Sequence, residues 1–373
     1  MSQAAGPEDE GDRPGRARRL TTGKLVRFGL SAALVGAIFF YVLPQIADFS
    51  EVWAAISNMT WIEVVTLGLL AAWNLMTYWF VMTAATPGLR IPQAMVVTEA
   101  STAVSNTVPA GSAIAVGITY LMLGSWGFSK SRSTLSVVVS GLWNNFAKLG
   151  LPVLALALLA LQGEASASRV TAGLVGIGAL VAAAAVFALM LRSEEFARKA
   201  GNVAARFVSK LRRIVGKGPA TGWDDATSKF RARTITLVEK AWLRLTLATV
   251  VSHLSLFAVL LVTLRNVGVA NDKVSWIEAL AVFAFVRLLT AIPLTPGGLG
   301  IVELGLITGL TTAGGDKPDV VAAVLVFRIL TYVLPIPFGL ATYVFWRRNT
   351  SWHDSAPPLA GAPPVPAGAT GAT

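Results

Sequence analysis

Cysteine is absent from this 373-residue chain, and histidine occurs only twice, at His253 and His353. The first absence excludes disulfides and thiolate-bound metals. The second argues against a histidine-based zinc centre, which takes three or four protein ligands. Charge is also scarce, because only 14% of the residues are Asp, Glu, Lys or Arg while 54% are hydrophobic. Soluble domains carry about 25% charged residues, so this composition excludes an ordinary soluble protein.

The chain contains long apolar stretches with few charged residues. A helix needs about 20 apolar residues to cross a bilayer, and several stretches reach that length. They predict an all-α, polytopic membrane protein with about six full spans. The expected spans are 25–47, 61–85, 135–161, 170–191, 245–264 and 319–346. A signal peptide is the competing interpretation of the first span, but no small-x-small cleavage site follows its long apolar run.

The net charge of +11 is concentrated in the N-terminal tail and in one central loop. Both flank apolar spans, as the positive-inside rule requires, so the charge indicates orientation and not a nucleic-acid partner. Both termini are expected in the cytoplasm. Residues 1–22 and 349–373 are expected to be disordered tails. Residues 192–244 are expected to be a basic cytoplasmic loop, either with interfacial helices or simply solvated.

Proline and glycine interrupt two further apolar regions. The first region, 93–128, contains the run Asn-Thr-Val-Pro-Ala-Gly-Ser that ends at Ser112, and the second, 276–313, contains Pro296-Gly-Gly298. Helices that break at membrane depth are tolerated only where the break faces protein or a water-filled cavity. A pair of such breaks in corresponding positions points to the binding site of a transporter.

The charge pattern predicts that the two broken regions are re-entrant hairpins that enter from opposite sides. The first hairpin belongs to a half at 23–191 and the second to a half at 245–348, so the halves have the same order and opposite orientation. This arrangement is an inverted repeat. Two ordinary helix pairs with kinking prolines are the alternative.

Three charged residues of the second half are expected near the middle of the bilayer. A helix rises about 1.5 Å per residue, which places Arg287, Glu303 and Arg328 far from either surface. Charges at that depth are costly unless they are paired or hydrated. Two arginines and one glutamate leave a positive surplus, which favours an anionic ligand such as a lipid phosphate. The alternative is a purely structural ion pair. The amides after Pro296 begin a helix and offer a further anion site.

Polar residues in otherwise apolar surroundings complete the candidate site. Asn144 and Asn145 are as well explained by hydrogen bonds between helices as by ligand contact, and Asn74 and His253 are expected to hold helices together. The candidate substrate-binding residues are Arg287, Glu303, Arg328, Pro296, Gly297, Gly298, Asn106, Ser112, Asn144, Asn145 and Glu99. Lys148 is also polar and in apolar surroundings, outside this set. No nucleophile with a base, no paired acid and base, and no ATP-binding motif is present, so no catalytic residue, metal or cofactor is expected.

The stretch from Arg287 to Leu310, with Ile-Pro-Leu-Thr-Pro-Gly-Gly-Leu-Gly followed by Glu303, resembles the lysylphosphatidylglycerol synthase transmembrane-domain family of flippase-like proteins. The Asn-Thr-Val-Pro-Ala-Gly run and Phe327-Arg328 to Pro335 are similar to its other motifs. The resemblance implies translocation of a lipid or lipid-linked sugar in envelope assembly. Because the soluble aminoacyl-transferase domain is missing, the lipid-lysylating activity is expected to be absent.

These observations predict a flippase or scramblase, and not an enzyme, for an anionic lipid or a polyprenyl-phosphate-linked sugar. A scaffold or accessory subunit for an envelope glycosyltransferase is one alternative, and an intramembrane enzyme acting on a lipid phosphate is another. A composition rich in Ala, Gly, Val and Arg is typical of GC-rich bacteria. The expected location is therefore the bacterial plasma membrane.

Overall fold

The computed structural model describes residues 57–108, 111–162, 167–196, 223–290 and 295–353, with isolated residues at 50–54 and 199–209. The expected N-terminal tail and the first expected span lie outside the described residues, as does most of the C-terminal tail. All regular secondary structure in the described ranges is helical. The prediction of an all-α polytopic membrane protein is confirmed.

The α-helices are numbered here in chain order. Their bounds are α1 Trp61–Ala85, α2 Ile91–Thr107, α3 Gly111–Ser125, α4 Lys130–Leu161, α5 Ala167–Arg192, α6 Trp223–Val267, α7 Trp276–Leu289, α8 Ile301–Thr312, α9 Lys317–Arg328 and α10 Pro335–Arg348. A 3₁₀ turn, Pro296–Gly298, lies between α7 and α8, and a π-helical turn, Ile329–Val333, joins α9 to α10.

Five helical stretches are long and apolar enough to cross a membrane. They are α1, α4, Leu174–Arg192 of α5, Phe230–Val267 of α6, and the combined α9 and α10, Lys317–Arg348. The helices that flank the two proline-glycine breaks are shorter, with 17 and 15 residues in α2 and α3 and 14 and 12 in α7 and α8. Each is below the length of about 20 residues that a full crossing needs.

Helix α6 begins at Trp223, well before position 245, where the apolar span was expected to start. The expected basic loop of residues 192–244 is therefore helical from Trp223 onward, as one helix continuous with the span. The cause is local, since no glycine or proline interrupts this helix and Gly268 ends it at a φ of 106°. Leu237 and Ala241 on the extension are buried against α1 and α4, so this segment packs on the bundle.

Several helix ends gather at one end of the molecule, which we call the basic end. Arg132 at the start of α4 donates to the carbonyl of Pro87, between α1 and α2, at 2.6 Å. Arg231 near the start of α6 donates to two carbonyls at the end of α5. Trp346 at the end of α10 donates to Ser125 at the end of α3 at 3.0 Å. Helices α2 and α3 thus form a hairpin that opens at the basic end.

Helices α7 and α8 form a second hairpin that opens at the opposite end. The segment after α8 returns to the segment before α7, because a Cβ on Gly314 would lie 2.8 Å from the carbonyl oxygen of Lys273. Within the hairpin, a Cβ added to Gly305 or Gly309 would meet a valine of α7 at 2.8 or 2.5 Å. Small residues at this spacing let two helices approach closely, and the largest buried core lies around this pair and α6 and α9.

The backbones of α2 and α10, which belong to different halves of the chain, approach each other closely. A Cβ on Gly339 of α10 would collide with the backbone oxygen of Glu99 and approach the Cβ of Ala103 to 2.6 Å. Only a glycine at position 339 lets the two backbones come this near.

We expect Gly339→Ala to destabilise the protein by about 1–3 kcal/mol, because the new methyl group overpacks a backbone contact that cannot yield. The readout is the midpoint of thermal unfolding in detergent, followed by tryptophan fluorescence. Gly124→Ala is the matched control, since Gly124 is exposed on α3 with nothing within 4 Å of an added Cβ. Equal midpoints for the two variants would show that α10 does not rest on α2 as described.

Candidate functional site

The two helix breaks lie against each other at the centre of the described bundle. We call the junction between α2 and α3, described at Val108, the first break, and the junction between α7 and α8, described at Thr290 and at residues 295–300, the second break. Helices α2 and α3 both pack against the 3₁₀ turn of the second break. The two hairpins therefore open at opposite ends of the molecule and meet where each helix pair turns.

Tyr332 of the π-helical turn is bonded to the C-terminal end of α2, beside the first break. Its hydroxyl donates to the carbonyl of Asn106 at 2.6 Å, and the amide nitrogen of Asn106 donates to the carbonyl of Tyr332 at 3.2 Å. The wide turn follows from Pro335, which has no N–H to continue an α-helical ladder, while Leu334 donates to Ile329 five residues back. π-helical turns occur often at functional sites.

Gly297 allows the close approach between the 3₁₀ turn, Tyr332 and Asn106. Its φ is 55°, and a Cβ there would collide with the Tyr332 ring and lie 2.8 Å from the side-chain oxygen of Asn106. An L-residue with a side chain is strained in this left-handed conformation. Glycine is therefore required at this position by both the backbone and the packing.

Glu303 and Arg328 form a buried ion pair behind the second break. Arg328 Nε lies 2.6 Å from Glu303 Oε1, and the two side chains are 11% and 2% exposed. The second oxygen of Glu303 accepts from the backbone N–H of Gly300 at 2.7 Å, at the start of α8. The Arg328 guanidinium also lies 4.3 Å from the centre of the Tyr332 ring. Both oxygens of Glu303 and the guanidinium of Arg328 thus have a partner within the protein.

The anion site expected on the amides after Pro296 is occupied by the protein itself. The N–H groups of Gly298 and Leu299 donate to the carbonyls of Thr295 and Pro296, and that of Gly300 donates to Glu303. The expectation of an anion on the backbone is wrong for these three amides, because the turn and the Glu303 carboxylate already accept their hydrogen bonds.

A central cavity of about 300 Å³ lies between the two breaks and helices α1, α2, α7 and α9. It brings together most of the residues singled out from the sequence. Those that line it are Glu99, Asn106, Ser112, Arg287, Gly297, Gly298 and Arg328. Pro296 and Glu303 lie outside the lining: the carbonyl of Pro296 closes the 3₁₀ turn, and Glu303 reaches the cavity through Arg328.

Arg287 is the unpaired cation of this cavity. Its Nε is buried without a hydrogen-bond partner, and its side chain makes no ion pair with any residue that the structure describes. Val286 and Phe283 beside it are apolar. Lys148, on the helix α4 that packs against α7, is also a buried cation. Arg287 itself is only partly exposed, and a cation shielded from water without a counter-ion is costly, so this position is suited to an anion.

Glu99 lies on α2 with only 1% of its surface exposed, and its Oε1 accepts from the indole N–H of Trp79 at 2.6 Å.

Asn74 and His253, both expected to hold helices together, make different contacts in the structure. Asn74 does join helices, because its amide donates to the carbonyl of Ser252 and the hydroxyl of Ser255 in α6. His253 bonds only within α6, from Nδ1 to the carbonyl of residue 249.

A second cavity of about 510 Å³ adjoins the central cavity and shares Tyr78, Thr102, Ser105 and Ser112 with it. Asn144 lines the second cavity, whereas Asn145 is exposed and lines neither of the two. A third, mostly apolar cavity of about 360 Å³ lies between α4 and α6. It shares two residues of α6 with the second cavity, so polar and apolar spaces are continuous here.

Sequence reasoning missed three features of this site. Tyr332 was not considered, although a tyrosine three residues before Pro335 is a visible signal in a span. Lys148 is outside the set of candidate residues, although a lysine midway along an apolar helix is a functional candidate by default. The hydroxyls of Thr249 and Ser252 leave no signal, because such groups usually bond to their own helix.

We expect Glu303→Gln and Arg328→Gln each to lower the midpoint of thermal unfolding, because each leaves one buried charge unpaired at a cost of about 3 kcal/mol. The glutamine at position 303 can still accept from Gly300, so the charge is the main change. The double variant should lose less than the sum of the two single variants. Strictly additive losses would show that the two side chains do not interact.

Comparisons with known proteins agree with the membrane fold. A family model described as the lysylphosphatidylglycerol synthase TM region matches residues 27–339. A UPF0104 membrane protein of Methanocaldococcus jannaschii is 40% identical over 62 residues, which are 17% of this chain and 26% of that protein. A phosphatidylglycerol lysyltransferase of Staphylococcus xylosus is 24% identical over 110 residues, 29% of this chain and 13% of that protein.

Both of these matches cover far less than two thirds of the relative's length, so neither of them shows the family of this chain by itself. The family model, in contrast, covers most of this chain, from before α1 into α10. On that match, the chain belongs to the lysylphosphatidylglycerol synthase transmembrane-region family.

Proposed function

We propose that this protein translocates an anionic lipid, or a lipid-linked sugar with a phosphate, across the membrane as a flippase or scramblase. The observation that carries the proposal is Arg287, a cation without a counter-ion in a cavity between two helix breaks. A phosphate there supplies the missing charge and accepts hydrogen bonds from the guanidinium. The family is compatible with a lipid-related function in the membrane.

The positions of the charged residues support a cytoplasmic basic end. Arg132, Arg231 and the pair Arg347-Arg348 all belong to helix ends that gather there, in keeping with the positive-inside rule. In this orientation the α2–α3 hairpin enters from the cytoplasm and the α7–α8 hairpin from the other side. The two would then be re-entrant hairpins of an inverted repeat whose tips meet at the cavity.

The contact between the breaks is suited to opening and closing. Two hydrogen bonds join Tyr332 to Asn106, and a typical intramolecular hydrogen bond contributes about 1 kcal/mol of net stability. A loss of that size is within reach of thermal motion, whereas the Glu303–Arg328 pair is buried and more costly to break. We expect the hairpin tips to separate at Tyr332 while α8 and α9 stay joined.

The alternatives explain fewer of these features. A scaffold or accessory subunit for a glycosyltransferase needs no polar cavity at the centre of its bundle. An intramembrane enzyme needs an activated nucleophile, and among the described residues of the central cavity no hydroxyl bonds to a histidine or carboxylate. The proposed partner is therefore a lipid of the bacterial plasma membrane, anionic or linked to polyprenyl phosphate.

We expect Arg287→Ala to reduce co-purifying anionic lipid by about tenfold or more, because a hydrogen bond to a charged group contributes about 1.5–3 kcal/mol. Lipids bound to the detergent-purified protein are measured by mass spectrometry. Movement of fluorescent phosphatidylglycerol across liposomes is measured by dithionite quenching. Arg244→Ala is the control, since Arg244 is an exposed arginine on α6. A folded Arg287→Ala variant that keeps both lipid and flipping would overturn the proposal.

The orientation has its own test, because the chain has no native cysteine. Lys130 and Asp272 are exposed at the basic end and at the opposite end, respectively. With a membrane-impermeant maleimide on intact cells, we expect Asp272→Cys to be labelled at once. Lys130→Cys should be labelled only after permeabilisation. The reverse pattern would contradict a hairpin that enters from the cytoplasm at α2 and α3.

A further inference from the structure

The second cavity differs chemically from the central cavity that it adjoins. Twelve of its nineteen lining residues carry a hydroxyl, amide or imidazole group, and none is Asp, Glu, Lys or Arg. Its volume of about 510 Å³ lies within the range of about 300–1,000 Å³ that small-molecule sites occupy. The lining surface is mostly apolar, with hydroxyl groups and no charge, so it is suited to a neutral group that carries hydroxyls and not to a second charge.

Three buried polar atoms on one face of α6 have no hydrogen-bond partner among the residues that the structure describes. They are Thr249 Oγ1, Ser252 Oγ and His253 Nε2, and their residues are 3%, 1% and 3% exposed. Positions i, i+3 and i+4 share a helix face, and all three residues line the second cavity. An unpaired buried polar group costs about 1–3 kcal/mol, so three together indicate a partner from outside the chain.

Other buried hydroxyls of α6 show that this is not a general property of the helix. Thr263 donates to the carbonyl of Val259 four residues back at 2.6 Å, and Ser255 donates to that of Ser252 at 3.0 Å. This is the ordinary way for a helical Ser or Thr to be satisfied. Thr249 and Ser252 do not use it, so their hydroxyls have no partner among the described residues although both residues line the cavity.

The hydrogen-bonding capacity of His253 narrows the chemistry of that ligand. Its Nδ1 lies 3.0 Å from the carbonyl oxygen of Thr249, which can only accept, so Nδ1 carries the hydrogen. In the neutral ring, Nε2 is then an acceptor and needs a donor. An ionised phosphate diester has no hydrogen to donate. A hydroxyl group donates and accepts, and so can satisfy Nε2 and the two α6 hydroxyls together.

We propose that the second cavity binds the polyol part of the translocated lipid, a glycerol or sugar headgroup, while its phosphate contacts Arg287. The proposal rests on the translocation function proposed above and deepens it. The two cavities share Tyr78, Thr102, Ser105 and Ser112, so one headgroup extends from one into the other. Thr249, Ser252 and His253 are the specificity-determining residues for hydroxyls.

The test compares matched phosphate diesters that carry or lack the polyol. Binding to the full chain in detergent is measured by native mass spectrometry for phosphatidylglycerol against phosphatidylethanol with the same acyl chains. It is also measured for a hexosyl polyprenyl phosphate against the ethyl ester of the same polyprenyl phosphate. We expect one polyol-bearing lipid to bind about tenfold more tightly than its partner, as two hydrogen bonds allow. The pair that shows the difference identifies glycerol or sugar as the source.

The near-isosteric variant Thr249→Val/Ser252→Ala should remove this preference and leave binding of the lipid without a polyol unchanged. Thr311→Val is the control, because Thr311 also has an unpaired buried hydroxyl but lies on α8, away from the second cavity. Thermal unfolding of each variant shows that it is folded. Loss of preference in the double variant with retention in the control supports the polyol site.

Two other results would overturn the inference in distinguishable ways. If the wild type binds both members of each pair equally and Arg287→Ala weakens all four lipids, the translocation proposal stands. The second cavity then holds only water. If none of the four lipids binds, or Arg287→Ala has no effect on any of them, the proposed function itself fails. The polyol site then fails with it.

Discussion

The carboxylate of Glu303 is the group on which the rest of the site depends. One oxygen accepts from the first amide of α8 and the other pairs with Arg328, so a single side chain both begins a helix and neutralises a cation. A helix break inside a membrane is stable only when the freed backbone groups find partners within the protein. Without this carboxylate, the second break would lose its cap and leave a second buried arginine unpaired.

Function in this interpretation arises from the contrast between two arginines that share one cavity. Arg328 is held by Glu303 and by the face of Tyr332, whereas Arg287 makes no ion pair with a described residue and has apolar neighbours. The first stabilises the fold without a ligand, and the second is, under the proposed function, satisfied by the anionic group of the lipid. The protein thus tolerates an unfavourable charge at one position, as binding sites commonly do.

Composition, span length and helix rise predict much of this arrangement, but they do not predict how each helix is rotated. Composition and span length predict the membrane class, and a rise of about 1.5 Å per residue brings Arg287, Glu303 and Arg328 to one depth. Depth does not determine rotation about the helix axis, so depth alone does not tell whether Arg287 or Arg328 is the partner of Glu303. Rotation also separates Asn144 from Asn145, since neighbours on a helix point about 100° apart. The early start of α6 at Trp223 follows from a run without glycine or proline, which span hydropathy does not record.

Gly339 has a consequence for how the molecule can move. Helix α10 lies in backbone contact with α2, and its C-terminal end is bonded to α3 through Trp346 and Ser125. Although α10 follows the second hairpin in the chain, these contacts attach it to the first hairpin. A boundary between moving bodies therefore does not coincide with the central basic segment that divides the sequence. It passes through the π-helical turn at Tyr332, which would make that turn a hinge between α9 and α10.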